Sequence, residues 1–117
     1  MRAALQTHSH FSLLWGTSSP ADLCTRARKL GYNTLAMTET DNLYGLWPFL
    51  NNAQRNGLRP VVGATLTEQG SDLQALCLVG DARGYGNLCR LISQRHAKPR
   101  DFRLAAALPE LGAGLAV

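Results

Sequence analysis

The sequence predicts an α/β domain built mainly of parallel strands joined by helical crossovers. Three observations carry that prediction. Apolar stretches of strand length alternate with amphipathic stretches of helix length through most of the chain. The helical stretches are bounded by capping residues, with Ser19-Pro20 opening the first and Gly31 and Gly57 closing the first two. Hydrophobic residues make up 45% of the 117 and charged residues 17%, which supports a folded core and argues against global disorder.

In order, Ala3 to Ser9 reads as a first strand whose carboxyl end opens into a polar, histidine-bearing loop. Ser19 caps a helix that has Pro20 where a missing N–H is harmless. It runs from Ala21 to Leu30, with Leu23, Ala27 and Leu30 on one face and Gly31 as its left-handed stop. Thr34 to Thr38 is mostly apolar and reads as a buried strand. A loop over Glu39 to Gly45 leads to a second helix, Leu46 to Asn56, with Pro48 in its first turn and Gly57 after it.

Arg59 to Ala64 and Leu73 to Val79 read as strands, and Gly70-Ser71 between them predicts an antiparallel hairpin. Asp81 to Gly86 reads as a turn, and Asn87 to Arg95 as a helix with Leu88, Leu91 and Ile92 inward. From Lys98 the chain reads as loop, a short Leu104 to Leu108 segment and a Gly-rich end.

Several classes are excluded or disfavoured. No apolar run approaches the roughly 20 residues of a membrane-spanning helix. Met1 to Leu5 passes at once into polar residues and lacks the apolar stretch of a secretory signal. Cys24, Cys77 and Cys89 are odd in number and never spaced C-x-x-C, so they read as reduced thiols of a cytoplasmic chain.

The net charge of +4 permits nucleic-acid contact without establishing it. Arg90, Arg95, Lys98, Arg100 and Arg103 crowd into one stretch with a single acid, Asp101. That stretch reads first as a solvated helix end and second as a phosphate-facing patch. Trp15, Tyr44 and Trp47 read first as packing and second as rings that stack on bases. In parallel sheets functional residues gather at the carboxyl ends of strands, which directs attention to Gln6–Ser12, Thr38–Asn42 and Ala64–Glu68.

At those loops the residues resemble a known family. His8-Ser9-His10-Phe11-Ser12-Leu13-Leu14-Trp15-Gly16 resembles the opening motif of the polymerase-and-histidinol-phosphatase (PHP) domain. Gly31 to Thr38, followed by Asn42-Leu43-Tyr44-Gly45, is similar to its second motif, and Gly57 to Ala64 to its third. Gly84 to Leu88, running on to Leu91-Ile92-Ser93, continues the match. The resemblance is closest to the PHP domain that begins the alpha subunit of bacterial DNA polymerase III and its error-prone relatives.

That resemblance implies the N-terminal part of a distorted (β/α)7 barrel of TIM type. Residues 1–117 would form a single partial PHP domain of a larger polymerase chain, and Gly112 to Val117 would begin its next buried strand. Active members hold divalent metals at the strand ends and hydrolyse phosphoesters. A His-x-His on a strand puts both imidazoles on one face, because side chains alternate.

Matched position by position, the pair becomes Gln6-Thr7-His8, and Thr-Asp-His becomes Thr38-Glu39-Thr40. Thr65 stands where an acid is usual, and Trp15 where an aspartate is usual. A shifted register offers His8 and His10 with Glu39 and Asp41 as a small metal site, at the expense of the match at Ser12 and Gly16. These four are the positions of the vestigial site.

The implied function is a degenerate PHP module with a structural or docking role in DNA replication or repair, having no catalytic residue and no cofactor of its own. The alternative is a metal-dependent phosphoesterase or 3′–5′ exonuclease using zinc or manganese. The implied partners are DNA, reached through the full-length polymerase, and a proofreading exonuclease or other replisome subunit. No membrane is expected. An unpaired sheet edge further predicts self-association.

Overall fold

The computed structural model describes residues 3–9 and 18–117. Its elements are β1 (Ala3–Ala4), α1 (Pro20–Lys29), β2 (Thr34–Thr40), α2 (Leu46–Arg55), β3 (Arg59–Thr67), β4 (Gln74–Val79), α3 (Ala82–Ala97), α4 (Leu104–Leu111) and β5 (Leu115–Ala116). The strands form one sheet in the order β1-β2-β3-β4-β5. β1, β2 and β3 are parallel, with α1 and α2 as the crossovers between them. The expected hairpin joins β3 to β4 in antiparallel pairing, with Gly70 at φ 80° between them.

The structure departs from the sequence-based reading in several places. Only Ala3–Ala4 of the first segment is regular strand, although Thr7 remains bonded to β2 further along. β2 and β3 both run past their expected ends, because their ladder continues to the pair Thr40↔Thr65. Leu30 is 55% exposed, where burial was expected. The chain leaves α1 at Leu30, Gly31 turns it with φ 85°, and Tyr32 then packs on the core while its N–H bonds Ala27 O. A strand does form where the Gly-rich end was expected to begin one: β5, Leu115–Ala116, pairs antiparallel with β4 and is partly exposed.

α3 gives the largest difference, since it begins at Ala82 and takes in the segment expected to turn. Asp81 caps it by accepting the Gly84 N–H at 2.8 Å. Gly84 is there because a Cβ would lie 2.0 Å from the carbonyl oxygen of Gly114. The glycine serves a close approach of two backbones, not a turn.

Register and alternation put Leu35, Met37, Ala64, Leu66, Ala75 and Cys77 on one face of the sheet. α1 and α2 cover its first half through Cys24, Ala27, Phe49 and Ala53. α3 and the segment through α4 cover the second half through Leu88, Leu91, Phe102 and Leu104. The opposite face of β2 and β3 carries Thr38, Thr40, Gly63, Thr65 and Thr67. Among the described residues no helix is long and apolar enough to cross a membrane.

Cys24 and Cys77 are fully buried, and burial pushes both thiols up to about 11. Cys89 is only half-buried on α3. A thiol reagent such as Ellman's should therefore titrate one cysteine promptly in the native protein and three in denaturant. Prompt reaction of all three in native buffer would mean that the two cores open readily.

Candidate functional site

The three segments singled out by the parallel-sheet rule converge at the carboxyl ends of β1 to β3. The Thr38 N–H donates to Thr7 O at 2.8 Å, and the Thr7 N–H donates to Thr38 Oγ1 at 3.1 Å. The Asp41 N–H donates to Thr65 O at 2.8 Å. Asp41 has φ 54°, a left-handed conformation that Asp tolerates better than most residues. It ends β2 and turns its carboxylate toward the end of β3.

Two separate hydrogen-bond sets result. Glu39 is 2% exposed, and alternation places it on the helix-covered face, opposite Thr40 and Thr65. Its Oε1 accepts the Ser9 N–H at 2.6 Å, and its Oε2 accepts the Ser9 hydroxyl. Asp41 instead accepts the Thr67 N–H on Oδ1 at 2.8 Å and the Thr67 hydroxyl on Oδ2 at 2.5 Å. The Arg95 guanidinium stands 3.7 Å from Asp41 Oδ2, and its Nε donates to Thr67 O at 2.8 Å. The next residue, His96, donates from Nε2 to Asp41 O at 2.6 Å. These bonds lash the last turn of α3 to the ends of β2 and β3.

A third strand-end carboxylate, Glu68, is also used internally. It accepts the Leu104 N–H at 3.0 Å, which supplies α4 with the capping acceptor that Arg103 does not provide. Glu39, Asp41 and Glu68 therefore all act as acceptors for backbone N–H groups, a charge-assisted role.

Among the described residues the donor set does not fit a divalent cation. Gln6 is exposed, and the Thr65 hydroxyl donates to Thr38 O at 3.2 Å. Both oxygens of Glu39 and of Asp41 face N–H and O–H donors, and a fixed guanidinium beside Asp41 repels a second cation. Of the four vestigial positions, His8 is half-buried, His10 lies outside the described residues, and Glu39 and Asp41 belong to different bond sets. Among the described residues no group of three or more His, Cys, Asp or Glu could hold a metal ion.

Ser9, Thr67, Arg95 and His96 were not identified as partners from sequence. Their contacts cross up to 55 positions, and no local spacing signals them. The aromatic reading also changes. Tyr44 and Trp47 are 69% and 73% exposed instead of packed, while Trp15 lies outside the described residues.

Comparison with known proteins places the chain in a family and its fold among solved structures. The PHP domain family model matches residues 4–111. An error-prone DNA polymerase of Anaeromyxobacter dehalogenans (strain 2CP-C) is 37% identical over 118 residues, 92% of this chain and 10% of that protein. DNA polymerase III subunit alpha of Buchnera aphidicola subsp. Acyrthosiphon pisum is 37% identical over 100 residues, 80% of this chain and 8% of that protein. The chain thus spans about 10% of the length of the curated relatives it matches.

Two solved structures share the fold. A protein described as a metal-dependent phosphoesterase, from Bifidobacterium adolescentis, superposes with a TM-score of 0.62 at 22% identity, covering 82% of this chain and 34% of that one. An amidohydrolase from Chromobacterium violaceum superposes with a TM-score of 0.59 at 19% identity, covering 97% and 40%. With its βα crossovers, its converging strand-end loops and a family match over residues 4–111, the chain belongs to the PHP domain family.

Proposed function

We propose that this PHP domain is a structural and docking module of a DNA polymerase III alpha-type or error-prone polymerase, and that it does not hydrolyse phosphoesters. The single observation that supports this reading is the Asp41–Thr67–Arg95 set, in which a protein cation and two protein donors occupy the carboxylate. Nucleotidyl transfer then belongs to residues outside this chain. DNA, a proofreading exonuclease or another replisome subunit are the partners of that larger protein, which works in the cytoplasm. Self-association through the sheet edges remains part of the reading, and sedimentation at rising concentration reads it directly.

The test is zinc and manganese binding by competition with a chelator, run beside hydrolysis of a phosphodiester such as bis(p-nitrophenyl) phosphate. The unmodified protein should bind neither metal tightly and should not hydrolyse the ester. Thr40 and Thr65 are register partners on one face, so Thr40→His with Thr65→Glu places an imidazole beside a carboxylate. Adding Gln6→His, the triple variant should bind zinc more tightly than any single variant by more than roughly 10- to 100-fold. Tight, stoichiometric metal in the unmodified protein, with turnover, would establish the phosphoesterase or exonuclease reading instead.

A further inference from the structure

We propose that the rim at the carboxyl end of the sheet binds single-stranded DNA directly, stacking bases on Tyr44 and Trp47 and holding phosphates on Lys98, Arg100 and Arg103. The choice of DNA rests on the polymerase reading above.

Tyr44 lies in the β2–α2 connection and Trp47 in the first turn of α2, where their rings are 69% and 73% exposed. Large rings left this bare mark a surface for a partner more than a core. The loop from Lys98 to Arg103 is pinned to the same end of the sheet at both sides. Before it, His96 bonds Asp41 O and Arg95 bonds Thr67 O. After it, the Leu104 N–H bonds Glu68. Lys98, Arg100 and Arg103 are therefore presented at the strand ends with their side chains exposed.

Charge at this rim favours a polyanion. Glu39 and Glu68 are buried, and Asp41 is held by Arg95, so three of the nearby carboxylates are withdrawn from the surface. Asp72 and Asp101 are the exposed acids of the adjoining hairpin and loop. Beside Lys98 the surface is concave, a cavity of about 330 Å³ lined by Gln94, Ala97, Lys98, Asp101 and Phe102. Its amide and its apolar wall suit the edge and face of a base. Exposed rings and cations at one end of the sheet are what sequence-tolerant single-strand binding requires, since every base has a π-face and every nucleotide a phosphate.

The test is fluorescence anisotropy of fluorescein-labelled (dT)20 titrated with the 117-residue chain at several salt concentrations. Binding should weaken with salt with a slope of about −2 on log axes, as expected for roughly three phosphate contacts on a single strand. Tyr44→Ala with Trp47→Ala should weaken binding by about tenfold or more. Lys98→Glu with Arg100→Glu should weaken it similarly and flatten the salt slope.

All four side chains are exposed, so circular dichroism and the native thiol count should be unchanged, and a duplex of the same length should bind less well than the single strand. No anisotropy change at low salt and tens of micromolar protein would overturn the proposal, as would affinity indifferent to the aromatic pair. Trp47-dependent self-association without DNA binding would overturn it too, by assigning the rings to a protein interface. Metal binding and ester hydrolysis, on which the structural reading stands or falls, are not read by this titration, so the two fail separately.

Discussion

Gly84→Ala should destabilise the domain by about 3 kcal/mol or more, while Gly86→Ala, two positions along the same helix, should be neutral or stabilising by up to about 1 kcal/mol. A Cβ at Gly84 would stand 2.0 Å from Gly114 O and 2.5 Å from its carbonyl carbon. Both are backbone atoms, and Gly114 is itself held at φ 80° with its oxygen accepting the Gly80 N–H at 2.9 Å. Nothing there swings aside as a flexible side chain would. At Gly86 a Cβ meets nothing within 4 Å and only reduces the freedom of the unfolded chain.

Urea unfolding of the two variants makes the comparison, with a lower midpoint at unchanged slope for Gly84→Ala. A loss of this size is a large part of the stability of an ordinary domain. Equal shifts at the two positions would show that the Gly84–Gly114 approach is not what requires the glycine.

The same pair shows why some of the fold was legible in sequence and some was not. α1 could be read because its determinants are local: Ser19 accepts the Asp22 N–H at 3.1 Å, Pro20 opens the helix and Gly31 closes it. The β3–β4 hairpin was legible for the same reason, through Gly70. Gly84 and Gly86 look alike in sequence, and the residue that distinguishes them, Gly114, is remote along the chain. The parallel-sheet rule located the three converging loops before any contact was known. It could not tell what occupies their carboxylates, because Thr67 and Arg95 reach Asp41 from other elements. The aromatic pair reads as packing because rings beside a helix start usually pack, and sequence does not say which of them find a neighbour.

Glu39→Ala should cost about 3 kcal/mol, and the loss should be the same with and without a chelator. The substitution removes the two oxygens to which the buried Ser9 N–H and hydroxyl donate. Hydrogen bonds to a charged group are worth roughly 1.5–3 kcal/mol each, and the vacated volume adds to the loss. Ser9→Ala removes only the hydroxyl bond and keeps the one from its N–H, so it should cost less. Chelator treatment separates the two roles that Glu39 could play. A carboxylate that holds a metal contributes its stability through the ion, so stripping the ion would destabilise the unmodified protein and shrink the effect of Glu39→Ala. A carboxylate that holds Ser9 contributes through the chain alone. Parallel unfolding curves for wild type and Glu39→Ala, displaced by the same amount in both buffers, are therefore the result expected of a strand end rebuilt around hydrogen bonds. Convergence of the two curves after chelation would return Glu39 to the metal site.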